Sequence, residues 1–405
     1  MRSVTALRRP WLFLLALVAL CLGAAWAVSL ATPLPSRDEF NVVRWELQHL
    51  ANKWLYLTSR TFRGKLPAAE EHERLGRYLE LSLRVDLLAA DATQPRAADE
   101  LRQLERDRAE LASAAEAIIE GRITSVLEEA GLESSLSLFP QARWVFPPVD
   151  TEFAEPPTVL VISPRDRIEL IDTQPLRVGL SATQIAVIEQ AEERGGDRSV
   201  LVEPLSGVAT YPSIVAPDWD YRRLVELVAH EWVHQYLFFK PLGSRFYASD
   251  ELRTLNETVA TVAGQEIAAL VIREHPLPPA AEAALAALAP PAPSMDAGQA
   301  LRSLRREVDA LLAAGEIEEA EALMEARRRE LEEQGIYFRR INQAFFAFAN
   351  VYATGPASID PIGGKVETLL ARSASVGAFL RAAERLMSED DLDRLLATSP
   401  GGTGR

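Results

Sequence analysis

A single cysteine, Cys21, in 405 residues excludes any disulfide within the chain, so the fold has to be held by packing and hydrogen bonds. Serine or cysteine nucleophile motifs, phosphate-cradling glycine loops and internal repeats are also missing. Positive charge is in short supply. Lys and Arg number 43 against 58 Asp and Glu, a formal net charge of −15, which argues against nucleic acid or an anionic membrane surface as partner. Histidine is scarce too, at five residues, so two of them at a ligand spacing carry information.

One absence is local. From Trp11 to Ala31 the chain has no charged residue, a stretch long enough for the roughly 20 residues that span a bilayer. Arg2, Arg8 and Arg9 precede it, and no Lys or Arg follows before Arg37. Positive charge on the amino side predicts a single-pass membrane protein with residues 1–9 cytoplasmic, an anchor over 10–31, and an extracytoplasmic body. Ala25-Trp26-Ala27 has the small-x-small form of a signal-peptidase site, so cleavage after Ala27 competes with retention as an anchor. Leu20 before Cys21 is too bulky for lipoprotein processing.

The body reads as α+β. Residues 37–134 read as helical throughout: Phe40, Val43, Leu47, Leu50, Trp54 and Leu57 recur at helical spacing, then Leu75, Leu79, Ser82 and Leu83, then Leu101, Leu104, Leu111 and Ile118. Residues 140–275 form the expected α+β core. Thr158–Ile162, Ile168–Ile171, Leu176–Val178 and Ser199–Val202 are short β-branched runs. Ser181-Ala182-Thr183-Gln184 has the capping-box pattern and opens a helix that Gly195-Gly196 ends. The proline- and alanine-rich 276–295 is expected to be a linker or surface loop that can act as a lid. Residues 296–397 return to helix, with a hairpin turning at Ala314-Gly315, and 398–405 read as a disordered tail.

The chemistry gathers at His230-Glu231-Trp232-Val233-His234. On a helix, positions i and i+4 lie one turn apart and about 40° round, so both imidazoles can reach one metal ion. Glu231, about 100° round, is aimed beside that ion, where a general base for a metal-bound water stands. The flanking run from Tyr221 to Phe239 reads as one amphipathic helix with Leu227, His230, His234 and Phe238 on a buried face. Zinc of this type needs a third protein ligand and an open fourth position. A second helix, Ser249 to Glu274, has Ser249 as N-cap and Asp250 and Glu251 in its first turn. It supplies Glu257, which shares a face with Ala260, Thr261, Gly264 and Ala268, small residues that allow close approach to the histidine helix. Glu251 and Glu266 are the rival third ligands.

These residues resemble the zincin metallopeptidases, and within them the gluzincins, whose pattern is His-Glu-x-x-His on one helix and Asn-Glu-x-x-Ala or a relative on the next, here Asn256-Glu257-Thr258-Val259-Ala260. The resemblance covers roughly residues 200–272. It implies a zincin-like core, zinc held by His230, His234 and Glu257, and Glu231 as base and proton shuttle. Thr261 stands where thermolysin-like members carry an acidic residue that orients a histidine. The Gly-x-Met-Glu-Asn signature of alanyl-aminopeptidase-like members is absent.

A second oxyanion donor is expected from Tyr352 or Tyr337, which flank an aromatic stretch, with Tyr352 favoured by its place at a helix end. His275, before Pro276, reads as a helix C-cap instead. Gly207-Val208-Ala209-Thr210-Tyr211 is expected as an edge strand that binds substrate backbone, or as a plain hairpin strand. The expectation is a membrane-anchored zinc peptidase (a hydrolase) acting on peptide or protein substrates outside the cytoplasm. The alternative is an inactive zincin-like binding or scaffold protein of the cell envelope.

Overall fold

The computed structural model describes residues 38–42, 45, 67–90, 95–136, 139–291 and 295–398. The run Trp11–Ala31 and most of the 43–66 periodicity lie outside these residues, as does nearly all of the 398–405 tail. No helix among the described residues is long and apolar enough to cross a membrane.

The fold is α+β and mostly helical, with three small sheets. Helix α1 (Ala68–Ala90) and the long α2 (Pro95–Glu129) come first, with Leu75, Leu79 and Leu83 of α1 buried at the expected spacing. A hairpin follows, β1 (Glu133–Leu136) against β2 (Phe139–Val145). The short β3 (Thr151–Phe153) is pinned to α2, because its Thr151 and Phe153 amides donate to Glu120 at 3.0 Å and Glu116 at 2.8 Å. Next come β4 (Thr158–Pro164) and β5 (Asp172–Leu176), then α3 (Ala182–Glu192), β6 (Arg198–Pro204), β7 (Gly207–Val208) and β8 (Ser213–Val215). One sheet has the antiparallel order β5-β4-β6. The other has β8 in its centre, parallel to β3 and antiparallel to β7, which is an edge.

The β5-β4-β6 sheet is covered on both faces by the period-2 alternation of its strands. Leu160, Ile162, Val200 and Val202 pack against Ile185 and Ile188 of α3, whose Ser181 N-cap forms the expected capping box. Val159, Val161 and Leu201 face the other way, towards the chain's C-terminal helices.

Those helices build the rest. After α4 (Tyr221–Phe238), the one-turn α5 (Pro241–Ser244) and α6 (Asp250–Glu274) come α7 (Pro279–Leu288) and a hairpin of α8 (Ala297–Ala313) and α9 (Ile317–Glu333). Gly315, at φ 80°, makes the hairpin's turn where the sequence placed it. Helix α10 (Gln343–Asn350) lays Ala344 on the β4 and β6 face, and α11 (Ile362–Arg372), α12 (Val376–Ala383) and α13 (Glu389–Ala397) close around α6. Helix α6 is thus buried on nearly all sides, by α2, α4 and α11–α13. Each fully buried Leu, Ile or Val there contributes roughly 1.5–3 kcal/mol of transfer free energy.

Four expectations are corrected. Within 276–295, residues 279–288 are helix and not loop: Pro279 at the first helical turn and the alanines after it form α7, which lies on α1, so that a side chain added at Gly76 would meet Ala281 at 3.5 Å. Ile168–Ile171 is no strand, because Thr158↔Leu176 through Ile162↔Asp172 fixes the register and leaves Ile168 and Leu170 to pack against the neighbouring helical clusters. Asp38–Phe40 is extended beside β5, with Phe40 N donating to Pro175 O at 3.1 Å. The helical stretch ends before β1 at Glu133, not at 134.

Candidate metal centre

Helix α4 begins at Asp220, whose side chain accepts the Arg223 amide at 3.1 Å. Its buried face is Leu224, Val225, Val228, Ala229, Trp232, Val233 and Tyr236. This is a different face from the one the histidines were expected to share: Leu227 is only partly buried and Phe238 is exposed. The imidazoles sit at the margin between core and surface, where a site can be reached. Trp232 fixes the helix by donating Nε1–H to Pro147 O at 2.8 Å, and Gln235 fixes its other side by donating to Thr210 O and to Ser213 Oγ.

Helix α6 starts at the Ser249 N-cap as expected, the Ser249 hydroxyl accepting the Leu252 amide at 3.2 Å. The small-residue stripe does what its spacing suggests. A Cβ added at Gly264 would stand 3.2 Å from His230 N and 3.3 Å from His230 Cα, so only glycine lets the two helices lie this close.

That approach brings Glu257 to the histidines. His234 Nε2 lies 3.0 Å from His230 Nε2 and 3.1 Å from Glu257 Oε2, and His230 Nε2 is 3.4 Å from the same oxygen. Zinc–ligand distances of about 2.0–2.2 Å put neighbouring corners of a tetrahedron about 3.3–3.6 Å apart, so these three atoms, slightly closer than that, could hold one small ion after a shift of a few tenths of an ångström. The donor set, two imidazole nitrogens and a carboxylate, suits zinc or a similar divalent metal. Among the described residues His230, His234 and Glu257 are the group that could hold a metal. The rivals are elsewhere: Glu251 accepts the Glu389 amide, and Glu266 is not in the cluster.

The groups behind the cluster orient it. Asn256 Oδ1 can only accept, so His234 donates Nδ1–H to it at 2.8 Å and turns Nε2 towards His230 and Glu257. Thr261 Oγ1 stands 3.4 Å from His230 Nδ1, at the limit of a hydrogen bond. Burial works against a charged His234, but the Glu257 carboxylate outweighs it and lifts the imidazole to about 9. Burial would likewise raise Glu257, yet the two histidines hold it far below the usual carboxylate range.

Glu231 is buried, and its carboxylate lies against β7. A Cβ added at Gly207 would fall 2.2 Å from its Oε1, so the edge strand approaches this carboxylate closely. Burial pushes Glu231 up from its ordinary value, against the pull of His230 and His234. Of the five residues expected to bind substrate backbone, Gly207 and Val208 form the edge strand, while Thr210 turns inward, its hydroxyl donating to Pro212 O at 2.6 Å and its carbonyl taken by Gln235.

Tyr352 lies at 6.3 Å between ring centroids from His230, just past α10. Burial, then Glu257 and Glu231, raise its hydroxyl well above the ordinary tyrosine range, which keeps it a proton donor. Tyr337 is 70% exposed on the segment joining α9 to α10 and has no ring contact with either histidine. His275 is a C-cap as expected, but burial and the nearby Arg122 lower it and favour the neutral ring.

Two contributors escaped sequence reasoning. Phe246 sets its ring edge-on to His234 at 6.1 Å, and no periodicity marks it. Thr258 accepts the Ala353 amide at 3.2 Å and so holds the residue after Tyr352 against α6; its position beside Glu257 was the available signal. A cavity of about 550 Å³ between α1 and α7 contains none of these residues. No family model, no curated protein and no solved structure matches this chain.

Proposed function

We propose that the chain is a zinc-dependent peptidase of zincin type, in which His230, His234 and Glu257 hold the metal and Glu231 moves the proton. The observation that carries this reading is the 3.0–3.4 Å triangle of Nε2, Nε2 and Oε2 with an unligated, buried carboxylate on the residue after the first histidine. Bound zinc supplies a Lewis acid that acidifies water and polarises a carbonyl. The protein's own groups do the rest. Glu231, raised by burial, accepts a proton from the attacking water and delivers it to the leaving amine. Tyr352, kept protonated, donates a hydrogen bond to the oxygen on which negative charge develops. Asn256 keeps His234 in the tautomer that ligation requires. The sequence adds a membrane anchor over 10–31, which would place this centre outside the cytoplasm.

The test separates metal from chemistry. Full-length protein purified with zinc present should carry close to one zinc per chain and hydrolyse unstructured peptides. Glu231→Gln should keep the zinc and lose on the order of 10²–10⁴ in rate, the worth of a positioned general base. Zinc bound with no hydrolysis of any peptide in a broad library would replace this reading with an inactive scaffold.

A further inference from the structure

Aromatic residues make up 7% of the chain, and most of those described are buried or partly buried. Of the five aromatic side chains exposed among the described residues, four gather at the C-terminal end of α4. They are Phe146 at 47%, Phe238 at 68%, Phe239 at 61% and Tyr247 at 86%; the fifth is Tyr337. They touch in sequence: Phe146 lies 5.4 Å from Phe239, Phe239 lies 5.2 Å from Phe238, and Tyr247 lies 4.9 Å from Phe246.

The two groups flank one candidate-ligand imidazole, the second by contact and the first by its place along α4. Phe246 packs on His234, and Phe238 follows His234 by four residues, one turn along the same face. Contiguous exposed apolar surface of this kind marks a binding site more often than chance. Here the surface begins at the candidate metal centre and runs away from it.

We propose that this aromatic row binds apolar side chains of an extended polypeptide substrate close to the bond that is cut. The inference rests on the peptidase reading and gives it a substrate class, polypeptide segments rich in large apolar residues. The distances agree. The four residues from His234 to Phe238 rise about 6 Å, and two residues of extended peptide span about 6.6 Å. The row therefore meets side chains about two positions from the scissile bond. A lipid surface is the less suited occupant. The chain carries −15, and Lys240, inside the row, is already paired with Glu384 at 3.0 Å.

The experiment compares peptides that differ only in the residues within two positions of the cleavage site, Phe or Leu in one set and Ser or Asn in the other. Wild type should prefer the apolar set by about tenfold or more in kcat/KM, and Phe238→Ser/Phe239→Ser should reduce that ratio to below about threefold. Both side chains are exposed, so the double variant folds. Equal turnover of both sets by wild type, or an unchanged ratio in the double variant, overturns the proposal. Fluorescence anisotropy of the same peptides on Glu231→Gln reads docking without hydrolysis. If apolar peptides bind there and the Phe238/Phe239 change abolishes binding, docking stands even where no peptide is cut, and only the peptidase reading falls. Co-sedimentation with neutral and anionic lipid vesicles gives the other arm: vesicle binding lost in the double variant, with the peptide ratio unchanged, assigns the row to a membrane and overturns the proposal.

Discussion

On the β5-β4-β6 sheet, buried Glu189 of α3 receives Arg339 Nη1 at 3.0 Å, the Val202 amide at 2.7 Å and a second arginine, Arg340, at 3.6 Å. In the α4–α6 pair, Glu231 and Glu257 are as deeply buried, yet neither meets an arginine or lysine among the described residues. A buried carboxylate costs several kcal/mol unless it is paired. The first region meets that cost permanently with fixed cations and so has nothing left to bind. The second leaves it to two histidines, which can be neutral, and so keeps a demand for positive charge that a metal ion could satisfy. Burial of acid alone does not mark a site; burial of acid without a fixed cation does.

The sharpest way to break this comparison is to remove the unpaired acid. Glu257→Ala should abolish metal retention and with it all peptide hydrolysis, whereas Glu251→Ala should leave one metal per chain. Metal analysis after gel filtration decides, and a requirement for Glu251 would transfer the ligand role away from α6's buried face.

Proton competition is the next largest effect. Glu257 lifts His234 from 6.5 to about 9, so the protonated pair stabilises the chelated protein fully below the ordinary histidine range and loses that contribution as pH rises through about 9. Metal has to displace that proton. Affinity should therefore climb about tenfold per pH unit from pH 7 towards 9 and then level off, as read by competition with a chelator. A flat profile would mean that His234 is neutral at pH 7, and the two regions would then differ less than their geometry implies.

Gly207→Ala is subtler. Glycine is required there by Glu231 and not by φ, since the residue is not in the left-handed region. The added methyl should push the carboxylate aside, leaving fold and metal intact and lowering the hydrolytic rate by roughly 10–100-fold. An unaltered rate would show that Glu231 works from another position.

Arg339→Ala tests the other region. It should lower stability by about 2 kcal/mol, less than a fully buried pair because the arginine is a third exposed, and should not change metal content. A denaturant midpoint with and without metal measures both. Loss of metal in this variant would erase the distinction between the two regions.

Much of the site was legible because its residues lie on two uninterrupted helices. The i, i+4 histidines, Glu231 between them and the small stripe around Glu257 each follow from the 3.6-residue repeat, and the Ser249 cap fixes where the second helix starts. The expected strand at Ile168–Ile171 and the expected loop over 279–288 differ from the structure for a common reason. β-propensity and proline content are weak local signals, and the partner surface, β4 in one case and α1 in the other, decided the outcome.

The sequence by itself determined the ligand types, their spacing on α4 and α6, and the glycine and alanines that let the helices meet, because helical periodicity is a property of the chain alone. Only the tertiary structure decided which face of α4 is open, that Tyr352 and not Tyr337 stands by His230, that Gly207 comes up against Glu231, and that Phe146 joins Phe238 and Phe239 at the end of α4 while Phe246 packs on His234. Each of those juxtapositions joins residues from different elements, and their distance is set by how the cores pack, which no local pattern encodes.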